Sequence, residues 1–143
     1  MLRTYLMLVA LFSCLLFTGC SNRRADVVEV SGTVTRKGSP VPSVTVNFVP
    51  EEGRPSIGTT DSTGHFKLLY SANQDGARTG KHKVFITLES AAGPEAELAM
   101  MKGQAPKLPP DAKAIRDKYG DPKTSPLEFE ITESGQQIEI KLD

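Results

Sequence analysis

The chain has no tryptophan, two histidines, two cysteines and three tyrosines among its 143 residues, and these scarcities narrow what it can do. Both cysteines, Cys14 and Cys20, fall in the first twenty residues. Everything after them therefore lacks a disulfide framework, a cysteine nucleophile and any cysteine-ligated metal. With Tyr5 near the N-terminus, only Tyr70 and Tyr119 remain, so an aromatic platform for stacking sugars is poorly supplied. An excess of charge of one sign is also missing: 17 basic residues face 17 acidic ones. That balance gives no global attraction to nucleic acid or to anionic lipid. Long apolar runs are absent apart from Tyr5 to Phe17, which is too short to span a bilayer comfortably.

That single run carries the strongest signal in the sequence. Arg3 precedes it, and Thr18 and Gly19 follow it and lead into Cys20. This is the layout of a secretory signal peptide over residues 1–19. A cysteine directly after the small residues points to a bacterial lipoprotein, in which the Cys20 thiolate takes a diacylglyceryl group, the chain is cut before it and the new amine is acylated. Three acyl chains, at about 0.8 kcal/mol per buried CH₂, hold a protein durably on a membrane. The position three before the cysteine holds Phe17 in place of the usual leucine, with Leu16 one step earlier. A plain signal peptide with a chance cysteine and a retained anchor are the alternatives. Ser21 is not the aspartate that commonly retains lipoproteins on the inner membrane, which favours the outer membrane.

Residues 20–26 read as a lipidated tether and 27–143 as one small domain. From Val27 onward apolar residues recur at every second position. Val28, Val30 and Val34 share a face, with Gly32 where a packed side chain would otherwise project. After the Lys37–Pro40 turn, Val44, Val46 and Phe48 alternate with Thr45, Asn47 and Val49, and Pro50 ends the run. IGTT and HFKLLY are expected to pair as a hairpin around Asp61–Gly64. Asn73 to Gly80 reads as a loop, followed by a strand with Val84, Ile86 and Leu88 on one face. LEFEIT and QQIEIKL are expected to form a second hairpin, with Leu127, Phe129 and Ile131 facing one way and Ile138, Ile140 and Leu142 likewise in the next strand. Seven short strands of this kind predict an all-β, two-sheet sandwich. Between Ser90 and Pro126 the pattern breaks into one long, partly helical loop. PEAELAMMKG offers a short helix stopped by Gly103, and DAKAIRDKYG another, with Asp111 as N-cap, Ile115 and Tyr119 four apart and Gly120 as terminator. A loop of this length is usually functional or mobile.

Candidates for chemistry are few. His65 and His82, among Phe66, Lys67, Lys81 and Lys83, read as solvent-facing residues of flanking strands, not as a metal pair or a catalytic base. No GxSxG is present, and the glycines at 58, 64, 76 and 80 are too scattered to cradle phosphate. Asp61, Asp75, Asp111, Asp117 and Asp121 lack calcium-loop spacing, and turn formation explains Asp61 and Asp75. Met100 and Met101 are expected to cover a sandwich edge. The expectation is no catalytic residue, no metal and no cofactor.

The turn and core positions resemble the carboxypeptidase regulatory-like, or transthyretin-like, domain. The matching pattern is Gly32-Thr33-Val34, Gly38 and Pro40, Val44/Val46/Phe48, Thr60-Asp61 with Gly64 and Phe66, and Gly80/His82/Val84. With the leader and the KYGDPKTSPLEFEI stretch, the chain is similar to small lipoproteins of planctomycete-type bacteria. The resemblance covers Val28 to Leu142 and implies a seven-stranded prealbumin-like sandwich with Greek-key connections. One enzymatic branch of that wider fold hydrolyses hydroxyisourate and ends in Tyr-Arg-Gly-Ser. This chain ends IEIKLD, so the resemblance carries no catalytic residue. Such domains usually serve as accessory modules, and fold alone implies no activity.

The sequence therefore predicts a membrane-tethered, non-enzymatic interaction or structural module of the cell envelope. Its contacts would come from the loops, from Ser90–Pro126 or from a sandwich edge that accepts a partner strand. The alternative is a lipoprotein that binds a small ligand or envelope polysaccharide near Tyr70, Tyr119 or the basic strand.

Overall fold

The structure, a computed structural model, describes residues 24–88, 101–103 and 111–143. Cys20 and the leader lie outside them, as do most of the Ser90–Pro110 stretch and Met100. The described residues are mostly β. In chain order they form β1 (Val27–Val28), β2 (Val30–Arg36), β3 (Ser39–Pro40), β4 (Thr45–Pro50), β5 (Ser56–Thr59), β6 (His65–Lys67), β7 (Leu69–Ser71), β8 (Gln74–Asp75), β9 (Ala77–Arg78), β10 (Gly80–Thr87), the helix α1 (Ala112–Tyr119), β11 (Leu127–Ile131) and β12 (Gln136–Leu142).

Two open sheets result. One has the order β11-β10-β4-β5-β7-β8; in the other β2 lies between β12 on one side and β3 and β6 on the other, while β1 and β9 form a separate pair. The inward positions of both sheets meet in one apolar cluster, with Val30, Val34, Ile138 and Ile140 opposite Val46, Phe48, Val84 and Ile86. Phe48 is fully buried and Phe66 nearly so, their ring centroids 6.2 Å apart. Gly32 marks the tightest approach, because a Cβ there would lie 2.1 Å from the Ile138 carbonyl oxygen and 2.7 Å from the Phe66 ring.

Every run read as a strand contains one, and every predicted inward face points inward, but two pairings differ from expectation. β11 and β12 are not a hairpin. β11 lies antiparallel on β10, whereas β12 runs parallel to β2, from Gln136 opposite Val30 to Leu142 opposite Arg36. The turn between them carries the chain from one sheet to the other, so the two apolar faces approach the same core from opposite sides. Gln136 bridges the gap, accepting from the Thr132 N–H at 2.9 Å and donating to the Glu130 carbonyl at 2.8 Å. HFKLLY divides in the same way: β6 pairs with β2 and β7 with β5. Leu68 is the crossing point, its N–H donating to the Val30 carbonyl and its own carbonyl accepting from Gly76. Alternation reports which face is buried and is silent about which sheet supplies the partner.

Helix α1 forms where expected and buries Ile115 and Tyr119. Asp111 precedes it but does not cap it with its side chain: its φ is 64°, and its carboxylate reaches Arg36 at 3.1 Å. The Tyr119 hydroxyl accepts from the Asp143 N–H at 3.0 Å, which docks the helix against the end of β12. Ser125 donates to the Val84 carbonyl at 2.6 Å at the upper limit of the β10–β11 ladder.

Candidate functional site

The two histidines are held apart by the topology. His65 is exposed on β6 in the sheet built on β2, while His82 sits on β10 in the other sheet. His82 is not solvent-facing: it is 2 % exposed, and its ring lies 6.0 Å from that of Phe48. Its phase along β10 matches Val84 and Ile86, so it points into the core; the flanking lysines, on the opposite phase, gave the misleading impression of a polar strand. Nδ1 lies 3.0 Å from the Gly80 carbonyl, which can only accept, so Nδ1 carries the proton. Nε2 is buried with no partner among the described residues. Burial holds the imidazole pKa below its ordinary value, with the Arg78 charge adding to the effect.

The aspartates mostly serve local structure. Asp61 Oδ1 accepts from the N–H and hydroxyl of Thr63 and from the His65 N–H, and these bonds, the hydroxyl first, hold its carboxyl below the usual range. Asp75 pairs with Lys67 at 2.6 Å, Asp117 with Lys113 at 2.8 Å, and Asp121 accepts from the Lys123 N–H. Among the described residues no group of three or more His, Cys, Asp or Glu side chains is placed to hold a metal ion. Met101, expected against an edge, is 86 % exposed. The two tyrosines considered as sugar platforms are buried, Tyr70 beneath Arg54 and Tyr119 beside Lys118.

The basic strand does border a concavity. Lys81 and Lys83 of β10, Glu128 and Glu130 of β11, and Val49 and Glu51 at the end of β4 line a hollow of about 390 Å³ on the outer side of the larger sheet. Antiparallel register sets Lys83 opposite Glu128 and Val49, and Lys81 opposite Glu130. Lys83 Nζ reaches Glu128 Oε1 at 2.9 Å, which lowers the Glu128 pKa; the Lys81 charge adds to that. The hollow therefore presents both charge signs, and Pro50, His82 and Phe129 complete its lining.

Next to it on the same face runs a row that the sequence reading missed. Phe85, Asn47, Ile57 and Leu69 are opposite one another across β10, β4, β5 and β7. Ile57 is 44 % exposed and Leu69 51 %. Asn47 is buried in this row, its Nδ2 donating to Thr87 Oγ1 at 3.2 Å on the adjoining strand. The available signal was the phase of Leu69, which falls between the buried Leu68 and Tyr70 and so must face outward.

Two strand edges flank this architecture. On β11 the Glu130 carbonyl faces away from β10, since Gln136 takes it from outside, and by two-residue periodicity the backbone of Glu128 does too. On β12 the backbone groups of Gln137, Glu139 and Lys141 face away from β2 by the same periodicity, fixed by the Val30 and Val34 bonds on the far side of β2. The chain matches no protein-family model, no curated protein and no solved structure. The resemblance to carboxypeptidase regulatory-like domains stays a reading of its motifs.

Proposed function

We propose that the chain is a lipid-anchored, non-catalytic β-sandwich whose larger sheet presents a protein-binding surface in the bacterial cell envelope. The observation that carries this reading is the outer face of that sheet. An exposed apolar pair, Ile57 and Leu69, adjoins a mixed-charge hollow edged by Lys81, Lys83, Glu128 and Glu130. Clustered apolar exposure rimmed by charge marks interaction surfaces in soluble domains. A complementary partner carries an apolar side chain flanked by both charge signs. The lipid anchor at Cys20, the signal peptide over residues 1–19 and the outer-membrane location belong to this proposal and rest on the N-terminal sequence pattern.

The prealbumin-like Greek-key fold is part of the same proposal. It is supported by two facing sheets and by the positive φ of three motif glycines: Gly38 and Gly64 in turns, at 81° and 76°, and Gly80 at the start of β10, at 117°. A small-ligand or polysaccharide role is the second reading, favoured by the hollow, whose size is within the range of ligand sites.

A photo-crosslinking residue at Leu69, in cells and with the native leader, tests the choice. Capture of one dominant protein, lost when Ile57→Glu is added, is the expected result. Absence of a protein adduct together with retention on envelope polysaccharide would replace the leading reading with the second.

A further inference from the structure

Of the stretch read as a tether, the described residues Arg24 to Asp26 are bound to the domain. Both backbone groups of Arg24 are taken by one side chain: its N–H donates to Gln74 Oε1 at 2.9 Å, and its carbonyl accepts from Gln74 Nε2 at 2.8 Å. Asp26 accepts from Arg78 Nε at 2.7 Å through its carboxylate and from the Thr79 N–H at 2.9 Å through its carbonyl. Val27 and Val28 then pair with Arg78 and Ala77. Gly76 lets the two segments close, since a Cβ there would lie 1.9 Å from the Val28 carbonyl oxygen. Arg78 also donates to the Glu52 carbonyl, which ties the 51–55 loop into the same clamp.

Only the span from Cys20 to Arg24 is left to separate lipid from domain, about four residue steps and so at most ~14 Å of extended chain. The direction of the strands fixes which end of the sandwich that span can reach. β2 and β12 run away from the entry point, β6 and β7 run toward it, and β10 starts beside it. The turns at 51–55, 72–75 and 132–135 therefore surround the entry, with Gly135 donating to the Glu29 carbonyl. The turns at 37–43 and 60–64, together with Asp111, lie at the other end, on the order of 25 Å away at ~3.3 Å per strand residue.

We infer that the sandwich stands on the bilayer in a fixed sense, with the Ala72–Asp75 end against the lipid headgroups and the Asp61–Gly64 turn outermost. This rests on the reading of Cys20 as the lipid site. The occupant of the lower end is the headgroup layer itself, committed by the shortness of the remaining span and not by net charge. Charges of both signs meet there, Asp26 paired with Arg78 and Asp75 with Lys67. The long face that carries Ile57 and Leu69 then stands upright, accessible from the side.

The lipidated chain suits a direct test, because with Cys20 acylated and Cys14 removed no free thiol competes for a label. Asn73→Cys and Ser62→Cys place a single nitroxide at each end on exposed residues. The protein is reconstituted in phosphatidylethanolamine–phosphatidylglycerol vesicles doped with a lipid whose headgroup chelates nickel. Relaxation by headgroup nickel at least fivefold stronger at position 73 than at 62 is the expected result. Equal values, or the reverse order, overturn the orientation. In the Asp26→Ala/Gln74→Ala background the contrast should fall toward unity, and an undiminished contrast overturns the clamp as its cause. Vesicle flotation separates the two readings: if Cys20→Ala floats as well as the parent, the lipid site is wrong. If only the parent floats and the labels agree, the orientation alone is wrong.

Discussion

Gly32 and Phe66 show how tightly single residues are held where the sheets face each other. A methyl group at position 32 has to displace both the β12 backbone and the Phe66 ring. Gly32→Ala should therefore cost at least the ~1–3 kcal/mol typical of overpacking, measured by urea denaturation of the domain. Phe48→Ala and Phe66→Ala should each cost about 3–5 kcal/mol, since each ring is buried and touches the other. His82 gives a signature that depends on pH. Its folded pKa lies below the ordinary 6.5, so the unfolded state binds the extra proton first. Stability is then unaffected well above pH 6.5 and declines as pH falls from 6.5 through the lower folded value. The physical reason is that a proton on Nε2 would be buried with no acceptor among the described residues. In His82→Leu the loss of stability between pH 7.5 and pH 5 should shrink. An unchanged loss would show that His82 does not set it; Asp26, Asp61, Asp117 and Glu128 are shifted downward from carboxylate values and so act only in more acidic solution, below this window.

At the scale of elements, helix α1 and the strand crossings do the work of closing the sandwich. α1 contributes two buried side chains and one hydrogen bond to the chain terminus. Ile115→Ala should destabilise by about 2–5 kcal/mol, and Tyr119→Phe, which removes only the acceptor for the Asp143 N–H, by about 1 kcal/mol. The comparison checks whether the helix is held chiefly by packing. The amphipathic spacing of Ile115 and Tyr119 was legible in the sequence, as were the inward faces of β2, β4, β10, β11 and β12 apart from His82. The partners of β6, β11 and β12 were not, whereas the pairing of β7 with β5 was. A crossing such as Leu68 and a hairpin arm have the same alternation, and only the competition of all strands for neighbours separates them. His82 was misplaced for a related reason: its neighbours in the chain are lysines, while its neighbours in space are Phe48 and Gly80.

For the molecule as a whole, the proposed anchor and the clamp act together. Cys20→Ala should release the protein from membranes into the soluble envelope fraction, seen by fractionation and by loss of the acyl mass. The same substitution should leave the denaturation midpoint of the domain unchanged, because among the described residues the contacts with the sandwich begin at Arg24. Replacing Gln74 and Asp26 with alanine should have the opposite profile, keeping membrane attachment while freeing the domain to tilt. The outer-face surface was hidden from the sequence because it is assembled across four strands: Phe85, Asn47, Ile57 and Leu69 are far apart in the chain and adjacent only through register.

By itself the sequence determined the all-β character, the turns around Asp61–Gly64 and Glu133–Gly135 and the inward faces of the longer strands, because alternation, proline and positive-φ glycine act over a few residues. The stretch 73–80, read as a loop, holds β8 and β9. The sequence also set the scarcity of thiol and aromatic chemistry, which is a matter of composition. Only the tertiary structure decided which strands are neighbours, that β12 runs parallel to β2, that His82 is buried and that Arg24 to Val28 bind the domain. Each of those depends on contacts between residues distant in the chain, where local patterns leave several pairings equally open and close packing selects one.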